Sequence, residues 1–187
     1  MTSRFLLVVD LECTCSDESS PTAEQVAPEA MEIIEIGAVI ATMQGEVLDR
    51  FARLARPTER PALTAFCASL TGIRQADVDA AEPLGSALEA LESWVSPSSP
   101  ELSGWASWGN FDRRQIEREC ARKGLSNPLA SLSHTNLKER FATRRRIKQV
   151  GMAKALELVG LPLLGTHHRG LDDALNIAQL IRHALND

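Results

Sequence analysis

The chain has 187 residues, the length of one compact domain, and its apolar fraction of 44% is ordinary for a globular protein. Its net charge of −5 argues against a generally basic surface for polyanions, but it is compatible with an enzyme that gathers carboxylates around metal ions. The apolar run at residues 5–9 is too short for a signal peptide. No stretch approaches the ~20 apolar residues of a membrane helix, so we expect a cytoplasmic protein without membrane contact.

The first part of the chain predicts three strands. Residues 5–9 and 33–42 are apolar runs typical of strands that are covered on both faces. Residues 47–55 alternate as expected of a third, antiparallel strand. Residues 16–30 are polar, contain two prolines and predict a long loop.

The rest of the chain predicts mainly helices. From residue 57 to 73 the pattern is helical but irregular, and a short strand is expected at 102–108. Clearer helices are predicted at 84–95 (closed by Pro97), 111–123, 136–141, 152–159 and 170–185. Strands first, then strand and helix in alternation, indicate an α/β domain with a mixed sheet. We expect residues 1–187 to form a single domain.

Asp10 and Glu12 lie at the end of the first predicted strand. In an extended chain, residues two apart point to the same side, so the two carboxylates would project together. Two like charges held close are unfavourable unless a cation neutralises them, and oxygen ligands suit Mg²⁺ or Mn²⁺. Acidic residues at strand ends are common, so this pair alone does not establish a metal site.

Asp112 is the second candidate, in the first turn of the predicted helix that follows residues 102–108. An aspartate there is also favoured by the helix dipole, which is the simpler explanation when Asp112 is considered alone.

The third candidate group is His168-Arg169-Gly170-Leu171-Asp172-Asp173 at the start of the last helix. On a helical wheel Asp172 falls among polar positions, whereas Asp173 falls at the margin of the apolar face. A carboxylate at a core margin needs a partner or a metal. Either His167 or His168 could act with it, and periodicity does not choose between them.

Together these residues resemble the DEDDh group of DnaQ-like 3′→5′ exonucleases, which have an RNase H-like fold with a mixed five-stranded sheet flanked by helices. Asp10 and Glu12 match the first motif of that family and Asp112 matches the second. His168 and Asp173 match the five-residue spacing of the last motif. Leu70-Thr71-Gly72-Ile73 matches a further family segment. The sequence Asp-x-Glu-x-Thr-Cys at residues 10–15 is similar to the branch that trims small RNAs, histone-mRNA ends and ribosomal RNA ends, and to its KapD-like bacterial relatives.

The resemblance implies a metal-dependent exonuclease that acts on single-stranded RNA or DNA 3′ ends and releases nucleoside 5′-monophosphates. The four acidic residues would hold two Mg²⁺ or Mn²⁺ ions, and His168 would act as general base. A DNA proofreading or repair exonuclease is an alternative, because no residue distinguishes ribose from deoxyribose recognition. A catalytically silent binding module is a further alternative, although such modules normally lack a metal ligand. No protein partner is indicated.

Substrate contacts are predicted at Phe111, which could stack on the terminal base or lie in the core, and at Cys13 and Thr14 of the first motif. A basic cluster at 138–148 includes Arg144, Arg145 and Arg146. It could follow the phosphate backbone or form an ordinary solvated helix face. Trp105 and Trp108 are expected in the core.

Overall fold

A mixed five-stranded sheet is the centre of the fold in a computed structural model, which describes residues 5–95 and 101–185. The strands are β1 (Phe5–Cys13), β2 (Ile33–Thr42), β3 (Val47–Leu54), β4 (Leu102–Ser107) and β5 (His134–Asn136). Their order is β3-β2-β1-β4-β5, with antiparallel pairing among β1, β2 and β3 and parallel pairing of β4 with β1 and with β5. The predicted α/β class with a mixed sheet is confirmed.

Seven α-helices flank this sheet within the described residues. They are α1 (Ala65–Thr71), α2 (Gln75–Asp79), α3 (Leu84–Val95), α4 (Phe111–Lys123), α5 (Leu137–Arg145), α6 (Met152–Val159) and α7 (Gly170–Leu185). The predicted bounds of α3, α4, α6 and α7 are confirmed, whereas α5 continues four residues beyond the predicted end at 141. The predicted stop of α3 at Pro97 lies outside the described residues. The loop at 16–30 includes two short 3-10 turns.

The sheet separates two apolar layers, and alternate residues of β1 contribute to each. Leu7, Val9 and Leu11 pack with α3 and α4, while Leu6 and Val8 pack with α5, α6 and α7. Since side chains alternate along a strand, the side chains at positions 10 and 12 fall on the face of α5, α6 and α7.

A contact between two glycines fixes the start of α7 against the sheet. A Cβ atom on Gly37 of β2 would lie 1.9 Å from the carbonyl carbon of Gly170, a distance that no packing allows. A Cβ on Gly170 would lie 3.1 Å from the carbonyl oxygen of Asp10. The backbone of α7 therefore meets the backbone of β1 and β2 directly, and its first turn lies beside Asp10.

Glu32, which precedes β2, anchors the segment that leads to α1. Its fully buried carboxylate accepts hydrogen bonds from the backbone N–H groups of Thr58, Glu59 and Arg60 and from Lys123 Nζ, at distances of 2.7 to 3.1 Å. Burial alone would raise the pKa of Glu32, but these bonds outweigh it and hold the pKa below its ordinary value. The stabilisation from this group is therefore present above pH ~4.5 and is lost as the pH falls through the lowered pKa.

We expect Glu32→Ala to lower the free energy of unfolding by about 3–5 kcal/mol, because it leaves three backbone N–H groups without their charged acceptor and removes one of the two carboxylates that pair with Lys123. Urea unfolding at pH 7 measures the loss. Glu59→Ala is the matched control: its carboxylate is exposed and pairs with Arg122, so the change should stay below about 1 kcal/mol. Equal losses in the two variants would contradict the anchoring role of Glu32.

Candidate active site

Asp10 and Glu12 lie within β1, on the face that α7 covers. The pairing of β1 with β2 continues past the apolar run, with Asp10 opposite Gly37 and Glu12 opposite Glu35. The prediction that both acids lie at the end of the first strand is therefore confirmed, and the antiparallel partner extends β1 to Cys13. Glu12 is buried and Asp10 is partly buried, and both side chains line one cavity of about 360 Å³.

Asp112 reaches the same cavity from the first turn of α4. Its Oδ1 accepts a hydrogen bond from the backbone N–H of Leu11 at 3.1 Å, beyond the residues where β4 pairs with β1. The carboxylate is buried, and the N-cap position of α4 is held by Asn110. Stabilisation of the helix terminus thus accounts for only part of what Asp112 does, since it also joins α4 to β1.

Asp173 enters from the first turn of α7 and is 5% exposed. One carboxylate oxygen each from Asp10, Glu12 and Asp173 lies within 4.8 Å of the others. The adjacent Asp172 instead accepts the backbone N–H of Thr166 at 2.8 Å and so shapes the loop before the helix. The structure therefore brings Asp173 to the other acids and gives Asp172 a separate contact.

His167 and His168 lie side by side at this cavity, with ring centroids 3.9 Å apart. His167 Nδ1 is 2.8 Å from Asp173 Oδ2, and the same oxygen accepts the backbone N–H of His168 at 3.0 Å. His168 has a φ of 66°, a left-handed conformation that is uncommon for a residue other than glycine and that often occurs at functional sites. Burial, and then His167, lower the pKa of His168, so its imidazole is neutral near pH 7.

The convergence of the acids changes their protonation. Burial, and then repulsion by Asp112 and Asp173, raise the pKa of Asp10 well above its ordinary value. Burial and Asp173 raise the pKa of Glu12 to about 8. Burial raises the pKa of Asp112 to about 6, although the hydrogen bond from Leu11 opposes the shift. These shifts record the cost of burying carboxylates next to one another without a counter-charge.

The donor set fits hard divalent cations. Carboxylate oxygens are the ligands that such ions prefer, and Asp10, Glu12 and Asp173 already offer oxygens within one ion's reach of each other. A cation between them would offset the repulsion that, after burial, raises the pKa values of Asp10 and Glu12. His167, His168 and Asp173 form a second group whose ligand atoms lie equally close.

Glu35 belongs to this site, although sequence reasoning did not single it out. Its buried carboxylate pairs with the Arg169 guanidinium at 2.9 and 3.1 Å and accepts the backbone N–H of Gly170 at 2.9 Å. The pair thus ties the segment next to His168 to β2. The sequence feature that could have identified Glu35 is its position inside the apolar run Ile-Ile-Glu-Ile, because a buried acid requires partners.

The predicted substrate contacts differ in their surroundings. Phe111 is 47% exposed and lines the cavity beside Asp112, so the interpretation of Phe111 as a core residue is wrong, and base stacking stays a prediction. Cys13 is buried and lines the same cavity. Thr14 is buried, and its hydroxyl accepts the backbone N–H of Glu32 at 2.9 Å. Its hydroxyl is thus already engaged in the fold.

The two tryptophans near Asp112 have different environments. Trp105 is buried, as predicted. Trp108 is only partly buried: its ring packs on Phe141, its indole N–H donates to the carbonyl of Val150 at 3.0 Å, and it lines the cavity.

Arg144, Arg145 and Arg146 are exposed at the C-terminal end of α5. The guanidinium of Arg145 lies over the Phe141 ring at 4.9 Å, and the charges of Arg144 and Arg145 act on His183. His183 is ten residues beyond Asp173 on α7, about 15 Å along the helix axis. The arginine triplet is therefore away from the carboxylates, and its role as a phosphate track stays a prediction.

Comparisons with known proteins agree with this geometry. The family model RNase_T, described as exonuclease, matches residues 7–181. The chain is 32% identical to human ERI1 exoribonuclease 2, over 98% of this chain and 28% of that protein. It is also 32% identical to the probable 3'-5' exonuclease KapD of Bacillus subtilis, over 97% of this chain and 85% of that protein.

Solved structures have the same fold. The nuclease domain of 3'hExo, described as a DEDDh family member bound to rAMP, matches with a TM-score of 0.83 and 27% identity, over 96% of this chain and 91% of that chain. This chain spans 28%, 29% and 35% of the length of the human, mouse and zebrafish exoribonuclease 2 relatives. In the part of the chain that the structure describes, no helix has both the length and the apolar character to cross a bilayer. On the match over residues 7–181 and the shared fold, the chain belongs to the DEDDh group of the exonuclease family, whose members depend on divalent metal ions.

Proposed function

We propose that this chain is a 3′→5′ exonuclease that hydrolyses single-stranded RNA from its 3′ end and releases nucleoside 5′-monophosphates. The observation that carries the proposal is the convergence of four acidic side chains from β1, α4 and α7 with two histidines at one cavity. Each of the four acids is present, which argues against a catalytically silent module. We further propose that residues 1–187 act as one exonuclease domain.

Asp10, Glu12, Asp112 and Asp173 would hold two Mg²⁺ or Mn²⁺ ions. Bound cations of this kind supply activation of a water and neutralisation of charge on the leaving 3′-oxygen. The His168 imidazole takes the proton of the attacking water, since it is neutral and lies at the same cavity. His167 and the backbone of His168 hold the Asp173 carboxylate in place through its Oδ2. Phe111 offers an exposed ring on which the terminal base can stack.

RNA is the proposed substrate because relatives that match nearly the whole chain are named exoribonucleases. One solved relative is described as a 3′-exonuclease in 3′-end specific recognition of the histone mRNA stem-loop. A 2′-hydroxyl can both donate and accept a hydrogen bond, so an RNA-directed site gains contacts that DNA does not offer.

We expect faster hydrolysis of RNA than of DNA of the same sequence. The measurement follows matched 5′-end-labelled oligomers with Mg²⁺ and then with Mn²⁺, each at equal concentration. Ladders that shorten from the 3′ end in steps of one nucleotide support the proposal. Preferential degradation of the DNA would instead assign the chain to the DNA proofreading or repair alternative. A 3′-phosphorylated RNA is the control for a free 3′ end.

A further inference from the structure

A second polar cavity lies on the other side of the first turn of α4. It has a volume of about 580 Å³ and lies between the starts of α4 and α5; we call it the α4–α5 cavity. Its lining includes Asn110, Arg113, His134, Asn136, Arg140 and Thr143. Asn110 and Arg113 face this cavity, while Phe111 and Asp112 between them face the carboxylate site. A substrate strand that leaves the carboxylate site beside Phe111 therefore has this cavity as its neighbour.

The charge of the cavity is suited to an anion. Arg113 and Arg140 contribute two guanidinium groups, against the single carboxylate of Glu139. The Arg113 guanidinium has only a 3.7 Å contact with Glu117, and its Nε is buried without a hydrogen-bond partner among the described residues. A guanidinium with spare donors is a strong ligand for a phosphate oxygen, because its planar fork can bond two oxygens at once.

The neutral side chains around the two arginines can also form hydrogen bonds to a phosphate. The Asn110 side chain makes no hydrogen bond that caps α4, whereas Asn136 is already engaged, since its Oδ1 accepts the backbone N–H of Glu139 at 3.1 Å. The Thr143 side chain adds a hydroxyl to the lining. These amide and hydroxyl groups can complete the coordination of a phosphodiester.

We propose that the α4–α5 cavity binds a backbone phosphate of the substrate strand, upstream of the 3′-terminal nucleotide. This inference rests on the proposed function for its location relative to the 3′ end. It assigns the phosphate contact to Arg113 and Arg140 instead of the triplet 144–146, in which Arg144 and Arg145 act on His183 toward the far end of α7.

The test compares two double variants that each remove two arginine charges. Arg113→Gln/Arg140→Gln alters the cavity, and Arg144→Gln/Arg146→Gln is the matched control on the end of α5; Arg145, which packs on Phe141, is kept. Affinity for a 12-nucleotide single-stranded RNA is measured in EDTA across a range of salt, so that no hydrolysis occurs. Each phosphate contact with a single strand contributes roughly −0.7 to the slope of log affinity against log salt.

Because the cavity binds one phosphate, we expect the cavity pair to flatten this slope by about 0.7 and the control pair to keep the slope of the unaltered protein. With metal restored, the cavity pair should lose more kcat/KM on the 12-mer than on a dinucleotide, whose only phosphate is the one that is cleaved. An unchanged slope in the cavity pair, or equal flattening in both pairs, overturns the proposal. Absence of hydrolysis by the unaltered protein would refute the proposed exonuclease function, while the slopes would still decide whether the cavity binds phosphate.

Discussion

Asp10→Asn is expected to lower the rate of hydrolysis at least ~10³-fold while the protein remains folded. Divalent ions contribute several kcal/mol to such a reaction, and each 1.36 kcal/mol corresponds to a factor of ten. Asparagine keeps the size of the side chain but removes the charge that would hold a cation. The measurement is single-turnover cleavage of an end-labelled oligomer at saturating Mg²⁺.

The same variant should affect stability in the opposite direction. Because burial, and then repulsion by Asp112 and Asp173, raise the pKa of Asp10, removing its charge should leave the melting temperature in EDTA equal or higher. The rise in melting temperature on adding Mg²⁺ should become smaller, since the folded state binds the ion less tightly. A lower melting temperature in EDTA would mean that Asp10 is primarily structural.

Asp172→Asn is the matched control for this experiment. It also replaces an aspartate by asparagine, and it retains an acceptor for the backbone N–H of Thr166. Its rate should stay within about tenfold of the unaltered protein, because its carboxylate is engaged outside the metal site. Loss of activity in Asp172→Asn together with full activity in Asp173→Asn would show that the order of the last motif was assigned incorrectly.

His168→Ala is expected to reduce the rate at least ~10²-fold, the usual contribution of a positioned general base. Removing the ring leaves the backbone N–H of His168 in place, so the hydrogen bond to Asp173 is kept. The affinity for metal, measured by the Mg²⁺ dependence of the melting temperature, should therefore change little.

His167→Ala is the variant that distinguishes the role of the His167 imidazole from that of the His168 imidazole. His167 contacts Asp173 directly, so its removal should weaken the orientation of that carboxylate and raise the Mg²⁺ concentration needed for half-maximal rate. The maximal rate at saturating Mg²⁺ should fall much less than in His168→Ala. If His167→Ala has the larger effect on the maximal rate, the general base is His167.

Most of the fold follows from local sequence patterns. The continuous apolar run of β2 and the 3.6-residue periodicity of α3, α6 and α7 predict their bounds, because tertiary packing and local preference agree there. In contrast, β5 has three residues, none of which is fully buried, so no periodicity can show it. It forms because β4 offers a parallel edge, which is a tertiary cause. The end of α5 was missed for a related reason: four more helical residues follow its last buried aromatic, Phe141.

The candidate site was predicted only in part. The sequence alone shows the spacing of Asp10 and Glu12 and the position of Asp173 at the margin of the apolar helix face. Whether Phe111 faces the core or the solvent depends on how α4 docks, and the pattern of α4 is mostly polar on every side. The Glu35–Arg169 ion pair spans 134 positions of the chain, so no local pattern could predict it.

The contact between Gly37 and Gly170 has a consequence for how the sequence of this fold can diversify. A contact between main-chain atoms fixes the position of the β1 acids relative to the α7 acid. Main-chain atoms have no rotamers, so this contact cannot repack as side chains do. Loops outside this contact, such as residues 16–30, can therefore change in length or composition without shifting one ligand relative to another. A fold of this type tolerates different substrate-recognition loops. In contrast, a single methyl group added at Gly37 would push α7 away from the sheet and so separate Asp173 from Asp10 and Glu12.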